Sequence, residues 1–132
     1  MGAVSVVTID PTDRTPIYAQ LERGLRASIA TGRLRPGDQL PTVRQLAVEL
    51  RVNANTVARV YAELERAGVL ETQRGVGSFV SASSSREEAR PAEERRRRLR
   101  AVVTRALADA DAAGFTINDV LAELATHRHK GA

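Results

Sequence analysis

Cysteine is absent from this 132-residue sequence, and histidine and lysine are scarce. Without cysteine the chain has no disulfide scaffold, no thiol nucleophile and no cysteine-ligated zinc. The two histidines, His127 and His129, are too few for a three-histidine metal site, and their spacing points them in different directions on a helix. The turn Gly75-Val76-Gly77 is not followed by the helix start that a dinucleotide site needs. We therefore predict that the chain is not an enzyme and holds no metal or cofactor.

Long apolar runs are also missing. No run approaches the ~20 residues that a helix needs to cross a bilayer, so we expect no membrane-spanning segment and no membrane partner. The first residues, MGAVSVVTIDP, lack the basic segment and apolar stretch of a secretory signal, so we expect a cytoplasmic location. Apolar residues nevertheless make up 42% of the chain, which is enough to form a buried core.

Arginine supplies nearly all of the positive charge. Lysine and arginine number 20 against 16 acidic residues, which gives a net charge of +4 and a sequence pI near 10.6. Lys130 is the only lysine. Arginine suits two-pronged contacts with phosphate and guanine, so this composition is compatible with a nucleic-acid partner. It is equally compatible with ordinary surface charge, because the arginines are spread along the chain.

Three helices are predicted in the first half of the chain. The β-branched residues 4–9 indicate a short leading strand or an extended arm before them. Apolar residues recur every four positions in the first helix, which Gly32 can end. Thr42 is the expected N-cap of a second, short helix, and the chain restarts at once at Asn53. The apolar stripe of this third helix consists of Val57, Val60, Tyr61 and Leu64.

This order of elements is typical of a winged helix. Two short helices separated by so few residues must cross steeply, as in a helix-turn-helix. The strand-like segments 69–73 and 78–80 are joined by the glycine-containing turn 74–77, which predicts a β-hairpin, or wing. We therefore predict a mainly α fold with a small β-wing, in which residues 1–80 form a winged helix-turn-helix DNA-binding domain.

The third helix is expected to present a polar face opposite its apolar stripe. That face consists of Asn53, Asn55, Thr56, Arg59, Glu63 and Arg66. Asparagine can read adenine and arginine can read guanine in a major groove, and the positive helix end favours a phosphate. Arg44 is expected beside that groove, with Arg74 and Gly75 at the wing tip near the adjacent minor groove or backbone. The structural alternatives are a helix cap for Asn53, a solvated charge for Arg59 and a positive-φ turn residue for Gly75.

Five stretches occur in an order shared with one family of regulators. They are PIYAQL (16–21), GRLRPGDQLPTVRQLA (32–47), VNANTV (52–57), LERAG (64–68) and RGVGSFV (74–80). On these residues the segment resembles the winged-helix DNA-binding domain of GntR-family bacterial transcription regulators. The resemblance implies DNA contacts by Arg44, Asn53, Asn55, Thr56, Arg59, Arg74 and Gly75. The chain departs from the pattern at Arg51, where many members have a residue that tolerates left-handed backbone, and at Ala54, where many have proline. Left-handed backbone at Arg51 would cost about 1 kcal/mol.

The C-terminal part is expected to mediate dimerisation. Residues 81–90 are small and polar and indicate a linker or helix start, and residues 91–132 are predicted to be helical. The basic run Arg95–Arg98 either lies along DNA or forms a solvated face paired with the preceding glutamates. Two apolar stripes follow, and their candidate dimerisation residues are Leu99, Val103, Leu107, Val120, Leu121 and Leu124.

These two C-terminal helices are too small to enclose a core of their own, so their apolar faces need another surface. That surface is either the winged helix of the same chain or a second copy, and we favour a two-fold homodimer. The resemblance is to the YtrA-type subfamily, whose members carry two helices for dimerisation, and it implies the same arrangement.

The function predicted from these features is a dimeric, sequence-specific repressor that binds double-stranded DNA at a palindromic operator. The resemblance implies a nucleoid-associated bacterial regulator, often of its own gene and of a neighbouring ABC-transporter operon. The alternative is an adaptor that uses the winged helix to bind protein. The sequence assigns no small-molecule effector.

Overall fold

The computed structural model describes residues 6–82 and 90–128. The chain divides into two compact units, of which the first contains residues 6–82 and the second contains residues 90–128. Within these ranges no helix is both long enough and apolar enough to cross a membrane.

The first unit is a three-helix domain followed by a β-hairpin. Its elements are α1 (Ile17–Ala30), α2 (Val43–Leu50), α3 (Ala54–Arg66), β1 (Leu70–Gln73) and β2 (Gly77–Val80). This order confirms the predicted winged helix-turn-helix. The described residues before α1 form no strand: residues 7–10 are an arm without regular structure, and residues 11–15 form turns and bends. Val7 of this arm is buried, and the hydroxyl of Ser28 donates a hydrogen bond to the carbonyl of Val6.

The core of the first unit lies where the three helices face one another. The side chains with no more than 2% exposure in the helices are Leu21, Leu25, Leu46, Val57, Val60 and Leu64. In α1 and α3 they recur every three or four residues, so each of these two helices buries one face and exposes the other. Leu70 and Val80 extend this core into the hairpin, where they are paired across the two strands. The buried stripe of α3 therefore determines which of its residues point outward.

The connection between α2 and α3 is short because residues next to the helix ends terminate α2 and cap α3. α2 begins with a capping box: Gln45 N–H donates to the Thr42 hydroxyl (3.0 Å), and Thr42 N–H donates to the Gln45 side chain (2.9 Å). α2 ends at Arg51, which has left-handed backbone (φ 59°, ψ 46°). Asn53 caps α3, since its side-chain oxygen accepts a hydrogen bond from Asn55 N–H (2.7 Å). Only Val52 lies between these two caps, and the helices therefore turn sharply.

The wing is attached directly to the start of α2. β1 and β2 are antiparallel, with Leu70 opposite Val80 and Gln73 opposite Gly77. The segment that precedes α2 also pairs with β2: Leu40 N–H donates to the carbonyl of Ser78 (2.8 Å), and Val80 N–H donates to the carbonyl of Asp38 (2.8 Å). Sequence analysis did not predict this pairing. It links the wing to the helix-turn-helix through backbone hydrogen bonds.

The second unit is a helical hairpin of α4 (Ala92–Ala112) and α5 (Ile117–Thr126). Pro91 precedes α4, as its fixed φ favours, and Gly114 follows it with left-handed backbone. Thr116 caps α5 through a capping box with Asp119. No residue of α4 or α5 is buried. Most of the predicted linker or helix start, residues 83–89, lies outside the described residues.

Candidate nucleic-acid interface

The outward face of α3 is a narrow polar stripe. Asn55, Arg59, Ala62 and Arg66 are spaced at i, i+4, i+7 and i+11, which places them on one side of a helix. All four are exposed, and they lie opposite the buried apolar stripe. Thr56 and Glu63, which sequence analysis assigned to the same face, are half-buried at its edge. Sequence analysis did not single out Ala62. Its small side chain adds little bulk to the middle of this stripe.

The N-terminal end of α3 combines a cap with an available amide. The oxygen of the Asn53 side chain is occupied by the backbone of Asn55, so the predicted cap is confirmed and this oxygen is already bonded. The side chain of Asn55 is exposed and has no hydrogen bond to any residue that the structure describes. An asparagine amide can donate to and accept from adenine at once. Asn55 is therefore the better placed of the two for base contact.

Arg59 has two restraints that come from different helices. Its Nε atom lies 3.6 Å from the Oε2 atom of Glu63, one turn further along α3. Its guanidinium carbon lies 4.3 Å from the centre of the Tyr18 ring on α1. Sequence analysis missed this contact. The i+4 spacing between Arg59 and Glu63 indicates an ion pair from the sequence alone. No local pattern indicates which residues of α1 lie next to Arg59.

Arg44 and the wing tip are both exposed. Arg44 lies in the first turn of α2, directly after the capping box. Arg74 and Gly75 lie in the turn of the hairpin, where Gly75 has left-handed backbone (φ 78°). The conformational role considered for Gly75 is therefore confirmed. The first unit thus carries all the predicted DNA-binding residues on α2, α3 and the hairpin turn.

Gln39 holds the hairpin turn in place, and sequence analysis missed this residue. Its Nε2 atom donates a hydrogen bond to the carbonyl of Val76 (3.0 Å). A Cβ atom on Gly77 would lie 2.6 Å from the same nitrogen, and Gly77 has a φ of 143°. Glycine is therefore favoured at position 77 for two reasons: the Gln39 side chain lies close to its backbone, and other residues avoid this backbone conformation. Nothing in the local sequence connects Gln39 with a turn 37 residues away.

Tyr61 fixes α3 to the start of α2 from behind the polar stripe. Its ring is buried, and its hydroxyl donates a hydrogen bond to the carbonyl of Pro41 (2.7 Å). Burial raises the pKa of the Tyr61 hydroxyl well above its ordinary value of 10.0, and the charge of Glu49 raises it further. The neutral phenol is the form that the buried site accepts. This bond sets the position of α2 relative to α3.

Metal binding has no support among the residues that the structure describes. These residues contain no group of three or more histidine, cysteine, aspartate or glutamate side chains placed to hold a metal ion. His127 lies 3.4 Å from the carboxylate of Glu123. His129 lies outside the described residues.

The candidate dimerisation residues lie in the second unit and expose much of their apolar surface. Leu107 and Val120 are half-buried. The exposed apolar residues of this unit are Leu99, Val102, Val103, Phe115, Ile117, Leu121 and Leu124. Leu99 and Leu124 each expose about 60% of their surface. The helical hairpin therefore leaves many of its large apolar side chains exposed.

Comparison with known proteins agrees with this geometry. Residues 17–80 match the family described as "Bacterial regulatory proteins, gntR family". The structure of YtrA from Sulfolobus acidocaldarius, a GntR-family transcription factor, is 36% identical to this chain. The match has a TM-score of 0.57 and covers 79% of this chain and 99% of that one. The chain belongs to the GntR family. Its members are regulatory proteins, so the prediction that the chain is not an enzyme is confirmed.

This GntR-family chain also resembles a protein named as a repressor and a domain solved in complex with an operator. It is 45% identical over 76 residues to the HTH-type transcriptional repressor YtrA of Bacillus subtilis (strain 168), a match that covers 58% of each chain. It resembles the DNA-binding domain of AraR in complex with operator ORX1, with 25% identity and a TM-score of 0.52. That match covers 61% of this chain and all of the AraR domain. The GntR-family chain covers between 54% and 60% of the length of the curated relatives YtrA, YhcF and Rv1152.

Proposed function

We propose that the chain is a sequence-specific DNA-binding transcription regulator that represses by occupying an operator. The observation that carries this proposal is the exposed stripe of Asn55, Arg59 and Arg66 on α3, opposite a fully buried apolar stripe. A helix with such a face, supported by a second helix and flanked by a wing, fits the major groove of DNA. The resemblance to an operator-bound domain and to a repressor supports the same function.

The roles that we assign follow the chemistry of each exposed side chain. Asn55 and Arg59 contact base edges, because an amide suits adenine and a guanidinium suits guanine. Arg44 contacts phosphate or guanine from the first turn of α2. Arg74 and Gly75 follow the neighbouring minor groove or backbone from the hairpin turn. Two further residues, Asn53 and Thr56, act at the N-terminal end of α3, where the helix dipole favours a phosphate.

We further propose that the regulator is a homodimer. The apolar surface of α4 and α5 would be covered by the same surface of a second copy, because isologous pairing is the commonest way to bury such a face. A two-fold dimer presents two α3 helices to two half-sites, so the operator would be palindromic. In line with the family resemblance, the operators would control its own gene and an ABC-transporter operon, and the protein would act on the nucleoid in the cytoplasm. We assign it no effector.

DNA binding is tested by selecting bound sequences from a random pool and measuring affinity for the selected operator by fluorescence anisotropy. Arg44→Ala and Arg59→Ala should each weaken binding by about 1–3 kcal/mol, the usual value of a two-pronged contact. Arg23→Ala is the matched control, because it removes the same charge from an exposed position on α1. Affinity of the unaltered protein should also fall steeply as salt is added.

The outcome that contradicts this proposal is a folded protein that enriches no sequence and binds no DNA at about 50 mM salt, a condition that favours phosphate contacts. That result would favour the alternative of a protein-binding adaptor.

Dimerisation is tested by light scattering. The double variant Leu107→Asp with Leu121→Asp should have half the molar mass of the unaltered protein, because charge on the apolar surface prevents its burial. Ala101→Asp with Ala122→Asp is the matched control, since it adds the same charge to the opposite faces of the two helices. A Leu107/Leu121 variant that remains a folded dimer would show that this surface is not the interface.

A further inference from the structure

The stacking of Tyr18 on Arg59 joins an element outside the helix-turn-helix to the DNA-facing stripe. Tyr18 lies in the first turn of α1, and the guanidinium carbon of Arg59 lies 4.3 Å from its ring centre. The ring is 37% exposed, so it is neither a core side chain nor a fully solvated one. The Tyr18 hydroxyl has no hydrogen bond to any residue in the described ranges 6–82 and 90–128. The contact of Tyr18 with Arg59 is therefore made by the ring and not by the hydroxyl.

Glu63 restrains the same guanidinium from a second direction. The Oε2 atom of its carboxylate lies 3.6 Å from the Nε atom of Arg59. Neither Nη group of Arg59 donates a hydrogen bond to any residue that the structure describes. The guanidinium therefore lies over the aromatic ring, with the carboxylate beside its Nε atom. The edge that carries the two Nη groups remains available for a two-pronged contact.

An arginine held in this way binds with a smaller loss of conformational freedom. A free arginine side chain occupies many rotamers and loses that freedom on binding, whereas a stacked one has already lost part of it. We propose that Tyr18 is a positioning residue for DNA recognition: its ring holds Arg59 in the orientation that reads a base. This inference rests on the proposed function, because it presumes that Arg59 contacts DNA.

The test compares Tyr18→Leu with Tyr18→Phe. Ordering a long side chain before binding is worth a factor of about two to ten in affinity, so Tyr18→Leu should weaken binding to the selected operator by about that factor. Tyr18→Phe keeps the ring and loses only the hydroxyl, so it should bind as the unaltered protein does. Affinity for a scrambled duplex should be unchanged in both variants. A general structural defect would weaken both kinds of binding.

A double-mutant cycle with Arg59→Ala shows whether Tyr18 acts through Arg59. In the Arg59→Ala background, Tyr18→Leu should have no further effect on operator affinity. An independent measurement on the free protein is the NMR shift of the Arg59 side-chain protons. The shift that the ring current of Tyr18 causes in these protons should disappear in Tyr18→Leu and persist in Tyr18→Phe.

Each outcome decides a different point. Equal losses in the two Tyr18 variants would mean that the hydroxyl contacts DNA directly, and would overturn the inference. Additive losses in the cycle would overturn it too, as would full operator affinity in Tyr18→Leu. In these three cases the unaltered protein still binds its operator, and the proposed function stands. A protein that bound no DNA would remove the proposed function itself, and this inference with it.

Discussion

Replacing Arg51 by glycine should stabilise the protein. Arg51 ends α2 with a φ of 59°, and the N–H of the next residue, Val52, donates a hydrogen bond to the carbonyl of Ala47 (3.0 Å). α3 and α4 end with the same kind of hydrogen bond after Gly68 and Gly114, whose φ angles are 81° and 94°. The three ends are alike in geometry, but at α2 the left-handed position is held by a residue with a side chain. Arg51 is the only non-glycine residue with positive φ in the described ranges.

The size of the gain follows from two opposing terms. Left-handed backbone costs a residue with a Cβ atom about 1–2 kcal/mol, and glycine removes that cost. Glycine also increases the freedom of the unfolded chain, which offsets about 0.4–1 kcal/mol. The free energy of unfolding should therefore rise by roughly 0.5–1 kcal/mol. A small domain loses about 1 kcal/mol of stability per molar urea, so the unfolding midpoint should rise by about 0.5–1 M.

The assay is urea unfolding followed by circular dichroism, at one protein concentration because association contributes to apparent stability. Ala67→Gly is the matched control, because Ala67 ends α3 with ordinary backbone (φ −78°). It should lower stability by about 0.5–1 kcal/mol. Arg51→Ala removes the charged side chain but retains the Cβ atom and should give no gain. If Arg51→Gly left the midpoint unchanged or lowered it, the strain attributed to this position would not exist.

Two further predictions concern residues that support the DNA-facing elements. Tyr61→Phe should cost about 1 kcal/mol of stability, because the carbonyl of Pro41 loses its donor. The folded pKa of Tyr61 is raised, so its contribution to stability is complete below pH 10 and declines at higher pH. Urea midpoints measured across that range should fall less in Tyr61→Phe than in the unaltered protein, and equal falls would contradict the prediction. Gly77→Ala should weaken operator binding more than Gly75→Ala, since a Cβ atom at Gly77 meets Gln39 whereas one at Gly75 meets nothing within 4 Å. Equal losses in anisotropy titrations would contradict this prediction.

Local signals in the sequence were sufficient for the helices, the turns and the caps of α2 and α3. Thr15, a plausible N-cap of α1 by residue type, was wrong, because Pro16 is the N-cap there and no side chain caps this helix. Thr42 and Asn53 were expected as N-caps, and both form their cap hydrogen bonds. The departure from the family pattern at Arg51 indicated strained backbone, and its φ is positive. These features depend on hydrogen bonds between residues no more than five positions apart and on the period of a helix. Their determinants are therefore contiguous in the sequence.

The amino-acid sequence by itself thus determined the order of the elements, their ends and the side of α3 that remains polar. Only the tertiary structure decided that the Tyr18 ring lies over Arg59, that Gln39 supports the hairpin turn and that Tyr61 ties α3 to Pro41. Each of these contacts joins residues at least 20 positions apart. Periodicity determines which face of a helix is apolar. The packing of whole elements determines which residues distant in the sequence contact that helix.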